Sequence, residues 1–312
     1  MKKLFTFSLL LVLLLTLTAC GSSNGDDKKI RIGYQKNGTT LLLKGTGDLE
    51  KELKELGYKV EWSEFNTASS ILEALNSGAI DLANAGDAPS VMAVSKGMNF
   101  KYIAAERSAS QTEGILVKKD GNITKIEDLK GKRVAYNKAS IAEYLLAVAL
   151  ETVNLTLADV ESVILSPADA SVAFEKGEVD AWVTWDPFMT VSEAKGNTIL
   201  TTAEGLLNYR SYYFASEELV DNYPDVVKAY VENIIKIGTA IDKDSTKAAE
   251  ILEENTGIES SVWVSSYERK TSIPEYINDD VLNDLKTLND GLYAIDLIEK
   301  PVEDFTQSIW QP

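Results

Sequence analysis

The chain opens on a nearly unbroken apolar run, residues 4–17, behind Lys2 and Lys3. Beyond it the apolar residues come in short blocks. "IRIGY" (30–34) and "KRVAY" (132–136) read as buried strands, each followed by a polar turn and a helical stretch. "SSILEALN" and "DASVAFEK" carry helical apolar spacing, and each is closed by a glycine, Gly78 or Gly177, suited to the left-handed backbone that ends a helix. Strands are then predicted over 80–83 and 179–184, each turning at Asp and Pro into another apolar segment. From Pro224 the stretch "PDVVKAYVENIIKIGTAI" has the stripe of a long amphipathic helix. Strands alternating with helices predict an α/β fold.

The blocks recur. "SGAIDLANAGDAPSVMAV" (77–94) aligns with "KGEVDAWVTWDPFMTVSE" (176–193), so that Gly78, Asp81 and Asp87 match Gly177, Asp180 and Asp186, each 99 residues later. Upstream, Arg31, Tyr34 and Lys36 match Arg133, Tyr136 and Lys138, each 102 residues later. The period is too long for a solenoid and predicts two similar α/β lobes. The extended run "EGILVKKDG" (113–121) is expected to carry the chain into the second lobe, and "NYRSYYFASEEL" (208–219) to bring it back. Lobe 1 is then 30–112 with 212–312, lobe 2 is 113–211, and the helical tail packs on lobe 1. Ligands in open α/β sheets bind beyond the carboxyl ends of strands. That rule puts Gln35, Gly86 and Asp87 on one wall of an interlobe cleft and Ser140, Trp185 and Asp186 on the other, the arrangement of a hinged binding protein.

Composition refines this picture. With 312 residues, 45% of them hydrophobic and 25% charged, the chain suits about two domains. The first apolar run is too short and wrongly flanked for a spanning helix and reads as a signal peptide over 1–19. The sole cysteine, Cys20, follows "LTA". "LTAC" with Gly21 and Ser22 resembles a bacterial lipoprotein cleavage box, which implies cleavage before Cys20 and lipidation of its sulfur; two acyl chains anchor stably. Residues 20–29 would be a flexible tether. Removing 1–19, which hold two lysines and no acid, shifts the formal charge from −17 to −19. Such a surface disfavours nucleic acid and anionic lipid, leaving the lipid anchor as the membrane contact, but aimed amides can still hold an anion.

The absence of histidine removes the imidazole acid, base and metal ligand. "GSSNG" (21–25) fits the nucleophile-elbow pattern but lies in the tether with no strand before it. No catalytic residue, cofactor or metal is expected; "DKDST" at Asp242 reads as a solvated helix end. Ser140 should cap the helix "IAEYLLAVALE", with the amides of Ser140 and Ile141 also free to face an anion. Asp87 and Asp186 either cap helices or accept from a ligand donor. Trp182 and Trp185, three apart on a strand, face opposite ways, so Trp182 belongs to the core and Trp185 to the cleft. Arg210, at the return crossing, is either solvated or offers a planar fork to an anion. Arg107, at the other crossing, has the same possible role.

Residues spread from 30 to 312 also resemble one family. "IRIGYQK", "ILEALNSGAIDL", "GDAP", "SPADASVAFEKGEVDAWVTWDPF" and the ending "SIWQP" are similar to binding proteins for aliphatic sulfonates, within the nitrate, sulfonate and taurine group of ABC importers. The resemblance implies a two-lobed type II periplasmic-binding-protein fold. It implies a monomeric extracytoplasmic receptor that passes a small organosulfonate to an ABC permease and its ATPase. Taurine, nitrate or another small solute is the alternative ligand, and an extracytoplasmic enzyme on the same lobes the alternative class. Carried over, the ligand-binding positions are Gln35, Gly86, Asp87, Ala139, Ser140, Trp185, Asp186, Arg210 and Ser211. The chain departs from the family's pattern at Ala139-Ser140-Ile141, where relatives commonly carry a Gly-Ser-Ser-like run, and at Ala85, where a hydroxyl is common.

Overall fold

The computed structural model describes residues 28–312. The expected signal peptide, Cys20 and most of the tether lie outside the described residues. Strand β1 (Lys28–Tyr34) begins two residues before the expected start, because Lys28 and Lys29 pair with Tyr58 and Lys59. Helices α1 (Gly38–Thr46) and α2 (Asp48–Glu55) follow, then β2 (Tyr58–Glu64), α3 (Ala68–Asn76), β3 (Leu82–Gly86), α4 (Asp87–Ser95) and β4 (Lys101–Ala105). A second unit contains β5 (Glu113–Val117), β6 (Arg133–Tyr136), α5 (Ile141–Glu151), β7 (Glu161–Ile164), α6 (Pro167–Glu175), β8 (Ala181–Trp185), α7 (Phe188–Ala194) and β9 (Thr198–Thr202). The chain then re-enters the first unit as β10 (Ser211–Ala215) and finishes with α8 (Glu217–Asn222), α9 (Pro224–Lys243), α10 (Thr246–Thr256), α11 (Ser260–Tyr267) and α12 (Asp279–Ala294).

The two five-stranded sheets have matching orders, β2-β1-β3-β10-β4 and β7-β6-β8-β5-β9. In each, the first three strands are parallel and the strand that arrives from the other unit is antiparallel to its neighbours. The duplication reaches single hydrogen bonds. Arg31 donates its backbone N–H and its Nε to Asp81 Oδ2 (2.7 and 3.0 Å) and Nη1 to the Gly78 carbonyl (2.6 Å). Arg133 does the same with Asp180 Oδ2 (2.9 and 3.1 Å), and its Nη2 reaches the Gly177 carbonyl (3.2 Å). Gly78 and Gly177 have φ of 71° and 74°, a region where a side chain is strained. Because both aspartates serve as arginine partners, β3 and β8 start after them, at Leu82 and Ala181, two residues later than the pattern predicted.

Apolar residues of α9, including Val226, Tyr230 and Ile234, pack with Ile30, Ile32 and Leu43 beneath the first sheet. In the second unit Ile115, Val134 and Leu146 share one core, and Phe174, Trp182 and Met189 another. The run 113–121, expected as the crossing, opens with β5 at the heart of the second sheet, where all five strand residues are buried. The passage between sheets is 106–112, and the return lies ahead of Ser211, which is already paired with Gly86 of the first sheet. The units also touch directly. Ile141 and Tyr144 of α5 join the apolar cluster of Val91, Val281 and Leu285 from α4 and α12.

Candidate functional site

The strand ends of both sheets meet at one cavity. Gln35 follows β1, and Asn37 and Gly38 open α1. Gly86 ends β3; a Cβ there would come within 3.3 Å of the Tyr209 ring, so the bare backbone lets that ring approach. Ser211, paired with Gly86, also lines the cavity, and its Oγ lies 3.1 Å from Tyr209 Oη. From the second unit come Ser140, Trp185 and Asp186.

Ser140 caps α5 as the sequence predicts. It accepts from the Ala142 N–H (3.2 Å) and donates to the Asn137 carbonyl (2.6 Å), so its hydroxyl is already committed. Trp182 is buried and Trp185 half-buried, with the indole of Trp185 on the wall. Asp186 lines the cavity while capping α7: Oδ1 accepts from the N–H and hydroxyl of Thr190 (3.0 and 2.6 Å). Its Oδ2 stands 3.7 Å from Arg269 Nη1, and burial raises its pKa against that pull.

Three expected positions do not face the cavity. Asp87 is buried at the start of α4, where its carboxylate accepts from the N–H groups of Ala88 (2.6 Å) and Arg210 (3.0 Å). Burial pushes its pKa up to about 7. Ala139 has φ of 53° and turns its N–H to Glu143 Oε2 (2.7 Å). Arg210 points to the far side of the first sheet, where Nε donates to Asp284 (2.6 Å) and Nη1 to the Glu106 carbonyl (3.1 Å) and Glu275 (3.4 Å). Tyr209 and Ser211 on either side of it line the cavity, while the pairs with Asp284 and Glu275 hold the guanidinium away from it. Arg107 is exposed and is not among the residues of this wall.

A third wall was not anticipated. α11 and the turn after it present Trp263, Ser266, Tyr267 and Lys270 to the cavity. Their spacing, i, i+3, i+4 and i+7 within "VWVSSYERK", is one helix face, a signal the sequence did carry. Lys270 Nζ donates to Glu106 Oε2 (2.7 Å), and Oε1 of the same carboxylate accepts from Thr39 (3.1 Å) and Tyr213 (2.8 Å). Trp263 and Tyr267 are 3% and 7% exposed, and neither Nε1 nor Oη has a partner. Next to Lys270, Arg269 reaches across to Glu193 and Asp186 and so ties the two units beside the cavity.

Among the described residues no group of three or more His, Cys, Asp or Glu is placed to hold a metal ion. No described helix is long and apolar enough to cross a membrane. The chemistry on offer is recognition: donors from backbone turns and side chains, an indole face, and carboxylates already engaged by cations or hydroxyls.

A family model described as NMT1/THI5 like matches residues 53–240. The crystal structure of the periplasmic aliphatic sulphonate binding protein SsuA from Escherichia coli superposes with a TM-score of 0.81 at 31% identity, covering 91% of this chain and 92% of that one. The alkanesulfonate-binding protein SsuA from Xanthomonas axonopodis pv. citri, bound to MOPS, gives a TM-score of 0.83 at 29% identity, covering 91% and 98%. The taurine-binding periplasmic protein of Escherichia coli (strain K12) is 30% identical over 58% of this chain and 57% of its own length.

Proposed function

The chain belongs to the NMT1/THI5-like family, and from that premise we propose that it is the extracytoplasmic solute receptor of an ABC importer for aliphatic sulfonates. The observation that carries the reading is a cavity walled by strand-end turns of two matching α/β units, joined by two chain crossings. Rotation about those crossings opens and closes the cavity. A sulfonate has only acceptor oxygens, and the walls answer it with donors such as Gln35, Asn37 and Lys270. An alkyl tail finds Trp185 and Ile141. The closed form is what the permease and its ATPase recognise. We read the protein as a receptor and not as an enzyme: the two carboxylates on the cavity, Asp186 and Glu106, hold a helix start and a lysine in place.

The same reading places the chain, as a monomer, on the outer face of the cytoplasmic membrane, with Cys20 carrying the lipid. Metabolic labelling with a radioactive fatty acid tests this: label is retained by the wild type and absent from Cys20→Ala. Ligand class is tested by titration calorimetry of the full chain with methane-, butane- and octanesulfonate, taurine, sulfate and nitrate. Micromolar or tighter binding of an alkanesulfonate, about −8 kcal/mol or better, is expected. Heat from nitrate or sulfate alone would refute the sulfonate class, and turnover of any bound sulfonate would refute the receptor reading.

A further inference from the structure

Orphaned hydrogen-bonding groups are distributed unevenly around the cavity. On the α11 side they are donors: Trp263 Nε1–H and Tyr267 Oη–H, both on side chains more than nine-tenths buried and both lining the cavity. Buried donors of this kind almost always have a partner, because leaving one unpaired is costly. On the same unit, where α1 and α11 share an apolar cluster, α1 opens onto the cavity at Gly38 with Asn37 giving no side-chain cap. The first amides of a nine-residue helix therefore point to a place where negative charge is favoured. Lys270 adds an ammonium on the same helix face; one of its protons goes to Glu106, which it neutralises, and two are left. Three other helix starts on the cavity, those of α3, α5 and α6, are capped by the hydroxyls of Thr67, Ser140 and Ser166, and that of α4 follows Gly86, with the Asp87 carboxylate on its own first turn.

Resting on the sulfonate reading, we propose that the anionic head of the ligand sits between α11 and the start of α1, held by Trp263 Nε1–H, Tyr267 Oη–H, Lys270 and the Gly38 amide, with its tail directed at Trp185. Three sulfonate oxygens meet donors from an indole, a phenol, an ammonium and a backbone amide. Of these donors only the Gly38 amide comes from the repeated turns; the three side chains belong to α11 and the turn after it, outside the repeat. The head is fixed to the first unit and the tail is covered by the second, so ligand binds the open form through its charge and draws the second unit over its apolar part.

The test is titration calorimetry of the full chain with ethanesulfonate and octanesulfonate, comparing wild type, Tyr267→Phe, Trp263→Phe and Ser140→Ala, with melting temperatures for each. Tyr267→Phe removes one atom and guards against misfolding of the tryptophan variant. Each of the two Phe variants should weaken both ligands by the same factor, about 5- to 30-fold, since both share the head. Ser140→Ala, at the rival helix start on the cavity wall, should weaken both ligands less than Tyr267→Phe does. Unchanged affinity in Tyr267→Phe overturns the assignment, and so does a loss confined to octanesulfonate, which would make α11 the tail wall. A loss in Ser140→Ala that exceeds the loss in Tyr267→Phe puts the head at α5 and also overturns it. If the wild type binds neither sulfonate, the functional reading falls and this assignment with it.

Discussion

Replacing Arg210 by methionine keeps the aliphatic stem and removes the guanidinium. In the structure that group is 10% exposed and joins Asp284, Glu275 and the Glu106 carbonyl. Removing one member of a buried ion pair costs about 3–5 kcal/mol, because the partner is left charged and unpaired. Asp284 is 23% exposed and still accepts from Asn208 Nδ2 at 3.0 Å. The loss should therefore fall near the lower bound, about 3 kcal/mol. At about 2–4 °C per kcal/mol the melting temperature drops by roughly 6–12 °C. The cavity should be little affected. The backbone of residue 210 is held through its own N–H and C=O by Asp87, and neither bond involves the side chain. Urea unfolding and sulfonate titration on the same preparation separate the two effects. The expected pair is a lowered midpoint with affinity within about 3-fold of wild type. An unchanged midpoint with affinity reduced tenfold or more would show that the guanidinium reaches the ligand, and the outward placement of Arg210 would be wrong.

Three further outcomes are expected. Asp87, with its pKa pushed up to about 7, stays protonated where an unfolded aspartate has released its proton. Its contribution to stability is present below that window and is lost as pH rises from the ordinary aspartate value to about 7. Urea unfolding of wild type and Asp87→Asn at about pH 4.5 and about pH 7.5 should show the wild type's relative stability shrinking with pH, and a growing difference would contradict the burial. In α12, a methyl on Gly291 would fall on the Tyr144 hydroxyl of α5. Gly291→Ala should enlarge the radius of gyration in solution scattering and weaken binding, and adding Tyr144→Phe should restore both; failure of that rescue would assign the defect to α12 alone. Trp185→Ala should flatten the gain in affinity with tail length, about 0.8 kcal/mol per methylene in the wild type, as read by calorimetry across the alkanesulfonates. A slope as steep as that of the wild type would place the tail elsewhere.

The duplicated frame was legible in the sequence because its parts are local and repeated. Arg31, Gly78 and Asp81 recur at fixed distance as Arg133, Gly177 and Asp180, and each set makes the same hydrogen bonds. Ser140 and Trp185 were found for similar reasons, one as a helix cap and the other by strand alternation. Arg210 and Ser211 were not separated in the sequence, because Asp284 and Glu275, the partners that draw the guanidinium away from the cavity, lie more than sixty residues further on. Burial decided Asp87: a carboxylate at a helix start can serve its own turn or a ligand, and only the fold shows that Arg210 takes its second oxygen. Trp263, Tyr267 and Lys270 have no counterpart in the repeat, and which way their helix face turns is set by packing against Tyr34 and Leu41, far away in sequence.

Each Arg–Asp–Gly clasp lies at the end of its sheet opposite the cavity. Asp81 precedes β3 and Gly86 ends it, and five residues of strand span about 16 Å. Substitutions at those separations with no shared partner combine as independent increments. The mouth of this receptor can therefore be refitted to another solute, turn by turn, while the clasps keep both halves in register, and the sum of single-site effects forecasts how a many-fold altered version will fold.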